Sequence, residues 1–312
     1  MPGPYAHITL LHELIHPGML SSCFSPSSGF DAILAAHFSY CALGSVSPDY
    51  PNLAKENGSA SQWADAMHCT RVSEVIASGI RRVKSSKGYS RDKQLAWLLG
   101  YCAHVTSDVT IHPVVQAKVG VYAENQLQHR ICEMNQDSYI YRRVGLGEIG
   151  ESDIFALTVA QCSNSDDRNQ LDRDIVTLWK GMLEDVHPEL SIKNPPDIAS
   201  WHQEFVSMVS ECAADAVRLF PLAGVIASKM GLDYPEYVKV DRQFIDEQVV
   251  PAEKSRHLHY DDIFNHATYN VIMVWKQVEQ AVCAIESSTL STFGNWNLDT
   301  GRDENDRLIF WD

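Results

Sequence analysis

A chain of 312 residues, 45% hydrophobic and 21% charged, has the make-up of an ordinary soluble globular protein, which excludes collagen-like, coiled-coil and wholly disordered classes. Its 25 Lys and Arg against 40 Asp and Glu leave a net charge of −15. With no basic run to meet phosphate, duplex nucleic acid and an anionic membrane surface are not expected partners, whereas metal ions could neutralise a local cluster of acids.

No basic leader precedes an apolar run near Met1 to Leu20, and no stretch approaches the ~18 consecutive apolar residues of a spanning helix. No transmembrane segment and a cytoplasmic location are therefore expected. Apolar residues recur at helical spacing almost throughout and strand-like alternation is scarce, so the predicted class is all-α, a multi-helix bundle forming one domain over residues 1–312. Helices are predicted over 8–16, 29–44, 61–84, 91–112, 119–141, 153–162, 168–185, 199–218, 222–230 and 261–285. Asp31 and Ser61 stand near helix starts as caps, and Pro17-Gly18, Pro48 to Pro51 and Pro195-Pro196 mark stops. Residues 237–262 are polar, acidic and aperiodic, long for a plain connection, and could form a lid. The tail 290–312 carries Trp296, Phe310 and Trp311 among many Asp and is expected to dock its aromatics on the bundle. Eight cysteines are spread singly with no C-x-x-C pair, which suits reduced core thiols.

Eight of the 13 histidines precede residue 130, which points to a site within 1–150. In the segment from Gly100 to Pro113, spacings of four and four set His104, Asp108 and His112 along one side of a helix. Imidazole and carboxylate at that spacing suit zinc. A solvated polar face is the competing explanation, but Leu95 to Leu99 and Val114-Val115 are apolar and fit it poorly. The segment from His129 through Glu133 to Asp137 repeats the spacing, and a short link over 113–118 would make the two helices neighbours whose ligands face each other. Standing alone, His129 and Glu133 would read as a surface pair, His68 as a core histidine and Asp49 as a turn residue of local purpose.

Taken in order, these pieces resemble the zinc-dependent phospholipases C and the related single-strand-specific nucleases. The resemblance runs from Met1 to Tyr141: His7 in an early Pro-Tyr-Ala-His, a Gly44 to Asp49 turn after an apolar helix, Met67-His68, Gly100-Tyr-x-x-His104-x-x-x-Asp108, a further His, and His129-x-x-x-Glu133. It implies an α-helical bundle holding two or three zinc ions that hydrolyse a phosphate ester. By position it implies His7, Asp49, His68, His104, Asp108, His112, His129 and Glu133 as ligands, with Asp108 bridging two ions. His112, His129 and Glu133 would share one metal, and Asp49, His68, His104 and Asp108 would surround another. Asp49 could also accept the proton of the attacking water. The expected substrate is a phospholipid or a small phosphorylated compound, with no organic cofactor; oligomeric state carries no sequence signal.

Two patterns compete. His12-Glu13-Leu14-Ile15-His16 matches the H-E-x-x-H zinc-protease pattern, although Pro17-Gly18 should end the helix at once. Gly145-Leu-Gly147-Glu-Ile-Gly150 spells a dinucleotide fingerprint but follows a helix rather than a buried strand, so a loop is expected. A bundle that binds metal without catalysis is a third alternative. His257, His259, Asp261, Asp262 and His266 could hold a further metal or phosphate but suit a polar turn capping a helix, and His37, His187 and His202 are read as structural.

Overall fold

The computed structural model describes residues 3–54, 58–151, 153–214, 223, 230–251, 256–284 and 293–311. These are all-α apart from one short strand pair. The helices are α1 (Pro4–Leu14), α2 (Pro17–Cys23), α3 (Phe30–Ala36), α4 (Phe38–Gly44), α5 (Gly58–Cys69), α6 (Val72–Ser85), α7 (Gly88–Val119), α8 (Tyr122–Arg143), α9 (Ile154–Ala160), α10 (Arg173–Val186), α11 (Pro188–Lys193), α12 (Ile198–Ala214) and α13 (Tyr260–Cys283). A 3₁₀ turn, Ser47–Leu53, follows α4, and β1 (Gln248–Val250) pairs antiparallel with β2 (Arg256–Leu258), Gln248 opposite Leu258. No helix among the described residues is long and apolar enough to cross a membrane.

Helix α7 is the axis. Its residues from Lys93 to Val115 are all buried, as expected of a helix whose apolar positions run all the way round. α4, α6, α8, α10 and α13 pack around it, with α1 and α3 alongside. Its buried hydroxyls fold back onto the helix: Thr106 donates to the Cys102 carbonyl at 2.7 Å and Thr110 to Thr106 at 2.8 Å. The approach of α4 depends on two glycines, because a Cβ on Gly100 would collide with the Cys41 carbonyl oxygen and one on Gly44 with that of Trp97. The two backbones therefore touch.

Several boundaries differ from the expectation. The predicted helix 29–44 breaks at His37, and 61–84 breaks at Arg71, which takes a left-handed conformation at φ 54°. Pro17 starts α2 instead of ending a helix, since at the first helical position its missing N–H has no partner to lose. Pro113 does not end α7, which runs on to Val119, so 113–118 is helix and the link to α8 is only Gly120-Val121. Asp31 and Ser61 lie inside the first turns of α3 and α5, and Ser61 donates to the Gly58 carbonyl at 2.9 Å instead of accepting a backbone N–H. The helix predicted over 222–230 falls almost wholly outside the described residues.

The described residues of 237–251 and 256–258 hold two 3₁₀ turns and the strand pair, with Phe244, Ile245 and Val250 buried and β1 against α7. In the tail, Phe293, Trp296, Leu298 and Trp311 are buried, and Trp311 Nε1 donates to the Thr110 carbonyl at 2.7 Å.

Candidate metal centre

All eight candidate ligands are buried, and four elements converge to place them with the 3₁₀ turn. α1 contributes His7, the 3₁₀ turn Asp49, α5 His68, α7 the row His104, Asp108 and His112, and α8 the pair His129 and Glu133. They form three groups, His7 with His104 and Asp108, Asp49 with His68 and His104, and His112 with His129 and Glu133; within each, one ligand atom per residue lies within 4.8 Å of the others.

His104 is common to the first two groups, and Asp108, a member of the first, reaches the second. Asp108 Oδ1 lies 3.3 Å from His7 Nε2, and its Oδ2 lies 3.4 Å from His104 Nε2 and 3.8 Å from His68 Nε2. His68 Nε2 also lies 3.5 Å from Asp49 Oδ1 and 3.4 Å from His104 Nε2. In the third group His129 Nδ1 is 3.9 Å from Glu133 Oε1, with the His112 and His129 ring centroids 5.6 Å apart.

Each histidine has its other ring nitrogen fixed by the protein. His68 Nδ1 donates to the Ala64 carbonyl at 2.7 Å, His104 Nδ1 to Ser45 at 2.9 Å and His112 Nδ1 to Leu298 at 3.2 Å. His129 uses Nε2 instead, donating to the Gly120 carbonyl at 2.6 Å. The Ser107 hydroxyl donates to the Ala103 carbonyl at 2.9 Å and accepts from His7 Nδ1 at 2.9 Å. Such partners fix tautomer and ring orientation and present the remaining lone pair to the cluster.

Around the ligands, Arg130 donates to Glu133 Oε2 at 2.6 Å and to the Tyr122 hydroxyl at 2.9 Å. Asp137, one turn beyond Glu133, accepts from the backbone N–H groups of Ala6 at 2.8 Å and Tyr5 at 3.3 Å and thus holds the start of the helix that carries His7. Burial pushes its carboxyl well above the usual range despite those bonds. Burial alone would also raise Asp108, but the His104 and His7 imidazoles hold it well below the usual carboxylate range. Asp49 is lowered in the same way, its burial outweighed by His68 and His104. Burial opposes protonation of His68, yet Asp49 and Asp108 raise it to about 9. Burial pulls down His7, His112 and His129.

The residues fit a metal cluster. Both Asp108 oxygens, Asp49 Oδ1, His7 Nε2 and His129 Nδ1 are buried without a well-formed hydrogen bond, an arrangement costing about 1–3 kcal/mol per group unless something satisfies it. Cations would satisfy all of them, and a donor set of imidazole and carboxylate suits zinc.

The competing patterns do not assemble. α1 ends at Leu14, His16 stands at the N-cap position of α2 outside both helices, and Glu13 Oε1 pairs with Arg143 at 3.3 Å, so His12 and His16 do not share one helical face. Gly145 and Gly147 take φ of 86° and 92° in a loop beyond α8. His259 accepts from the Asp261 N–H at 3.1 Å to cap α13, with Asp246 and Arg242 at its other nitrogen. His266 donates to the Phe310 carbonyl at 2.7 Å, and His202 lies 3.1 Å from both the Tyr50 and Ser163 hydroxyls. The sequence reading missed the partners of the histidines, because four of the five are backbone carbonyls, which any residue supplies. Asp137 was visible in the spacing, but its bond to α1 was not.

Neither the curated proteins nor the solved structures that were compared yield a significant match. The model of a family described as zinc dependent phospholipase C matches residues 6–189. That span takes in more than half of the chain and all eight residues of the three groups, and the chain belongs to the zinc-dependent phospholipase C family.

Proposed function

We propose that the three groups bind two or three zinc ions and that the protein hydrolyses a phosphate ester, with a phospholipid headgroup ester or a small phosphorylated compound as substrate. The observation that carries this reading is the set of five buried histidines, each with one ring nitrogen held by the protein and the other turned toward three carboxylates. His7, His104 and Asp108 would hold one ion, Asp49 and His68 with His104 or Asp108 a second, and His112, His129 and Glu133 a third. Bound zinc supplies charge for the phosphoryl oxygens and lowers the pKa of the attacking water.

The protein groups have separable tasks. Asp108 presents both oxygens to the cluster, and Arg130, itself bonded to the Tyr122 hydroxyl, braces Glu133 through one oxygen and leaves the other toward His129. Asp49, lowered below the ordinary range, is ionised at neutral pH, which supports a role for it in taking the proton of the attacking water. Even two dications outweigh the three carboxylates, so the centre attracts an anionic ester within a chain of net charge −15.

Elemental analysis of the purified protein beside Asp108→Ala tests the reading. Two or three zinc per chain, falling sharply in the variant together with hydrolysis of phosphatidylcholine or a chromogenic phosphodiester, is the expected result. One zinc or none in the wild type, unaffected by the substitution, or hydrolysis that survives thorough chelation, would overturn it.

A further inference from the structure

The metal-binding residues all lie before residue 134, yet one part of their support comes from the far end of the chain. Leu298 is wholly buried, its N–H donates to the His68 carbonyl at 2.9 Å, and its carbonyl accepts from His112 Nδ1 at 3.2 Å. One residue thus joins α5 to α7 and touches two candidate ligands that belong to different groups. We propose that the C-terminal segment Phe293–Trp311 is a working part of the metal centre, with Leu298 as the positioning residue that sets the His112 tautomer and ties it to His68.

The segment is built to hold that position. Asn297 and Arg302 form an antiparallel bridge, with the Asn297 N–H donating to the Arg302 carbonyl at 2.9 Å, and Gly301 N–H closes the turn on Asn297 at 2.9 Å. Farther along, Ile309 N–H donates to Gly301 at 3.1 Å and Trp311 Nε1 to Thr110 at 2.7 Å. The contact with α7 falls where Pro113 lacks the N–H that would bond the Val109 carbonyl. Gly301, at φ 65°, fits there: a Cβ on it would lie 2.6 Å from the Val109 oxygen and collide with the Pro113 ring. The docking points Val109, Thr110 and Pro113 thus flank Asp108 and His112.

Chemically, a neutral imidazole has two tautomers, and a ligand histidine is useful only in the one whose lone pair faces the metal. The Leu298 carbonyl favours the proton on Nδ1, leaving Nε2 as the lone-pair nitrogen. Asp299, the next residue, places Oδ1 4.0 Å from the same Nδ1, beyond hydrogen-bond reach, where its charge adds to the preference for a proton on that nitrogen. Because the family match ends at residue 189, the matched span by itself would lack this support.

The proposal rests on the zinc reading above, so its test carries a readout that needs no metal. Gly301→Val should push the segment off α7, and Trp311→Phe removes one anchoring bond, with every candidate ligand intact in the full-length chain. In metal-free wild type, ¹⁵N NMR should find His112 protonated at Nδ1. In folded Gly301→Val, checked by circular dichroism, the tautomers should mix and zinc affinity should fall roughly 10- to 100-fold, the range seen when a ligand's hydrogen-bonding partner is lost. Trp311→Phe should shift both readouts in the same direction by less. An unchanged tautomer and unchanged zinc affinity in folded Gly301→Val overturn the proposal, and if that variant does not fold, the same two readouts on Trp311→Phe decide. A wild type that takes up no zinc defeats the zinc reading, while the His112 tautomer still decides the role of Leu298.

Discussion

At the scale of the residue, the centre depends on which nitrogen of each ring faces inward. His7, His68, His104 and His112 are held through Nδ1 and offer Nε2, whereas His129, held through Nε2 by the Gly120 carbonyl, offers Nδ1. His68 differs from the rest in charge, since the adjacent carboxylates raise it to about 9 against the pull of burial. Below pH 9 zinc must expel its proton, so apparent zinc affinity should rise from pH 7 to about 9 and flatten above it. Titration calorimetry in two buffers of different ionisation enthalpy reads the released proton; no proton release at pH 7 contradicts the assignment. Without metal, the same raised group stabilises the fold fully below its ordinary value of 6.5 and loses that contribution as pH rises through about 9. Asp49 and Asp108, both lowered, contribute above the ordinary carboxylate value and lose it as pH falls through their depressed values. The residue types were legible because imidazole and carboxylate at intervals of four carry a chemical signal. The carbonyls that orient them were not, because a backbone oxygen leaves no mark on its residue's identity.

At the scale of the element, contact between α4 and α7 decides whether His104 meets Ser45. Gly100→Ala should force the helices apart at Cys41 and destabilise the fold by about 1–3 kcal/mol, measured by urea unfolding. The same variant should bind zinc more weakly, as the Ser45 carbonyl withdraws from His104 Nδ1. A stability equal to wild type would mean that the close approach is not required. In α1, Glu13→Gln removes only a partly buried pair with Arg143 at the edge of the bundle, so stability should change by about 1 kcal/mol or less and zinc content should stay the same. Loss of zinc in that variant would restore the H-E-x-x-H alternative. The amphipathic and buried runs of these helices could be read from periodicity, but their ends could not. A proline ordinarily stops a helix, yet α7 runs on through Pro113, with Gly301 of the tail packed against its ring and the Val109 carbonyl; Arg71 breaks the run 61–84 in a left-handed conformation that a non-glycine residue does not announce.

For the whole molecule, zinc binding and folding should be linked. The unfolded chain cannot present the candidate ligands of α1, the 3₁₀ turn, α5, α7 and α8 together, so metal is expected to bind mainly the native state. Zinc at 1,000 times its Kd would stabilise by about 4 kcal/mol, and chelation should lower Tm by on the order of 10 °C in scanning calorimetry. A Tm indifferent to chelator would argue against a centre that spans these elements. The effect should reverse when zinc is restored, because the protein groups remain in place.

The amino-acid order by itself determined the all-α class, through the 3.6-residue period of apolar side chains, and the candidate ligand types, through the spacing of His104, Asp108 and His112 and of His129 and Glu133. Both properties are local, written in intervals of three and four residues. Only the tertiary structure decided that His7 joins His104 and Asp108, that the row from His12 to His16 does not gather, and that Leu298 reaches back to His68 and His112. Those outcomes depend on how closely helices approach and where a distant carbonyl comes to rest, which packing of the whole chain sets and no local interval records.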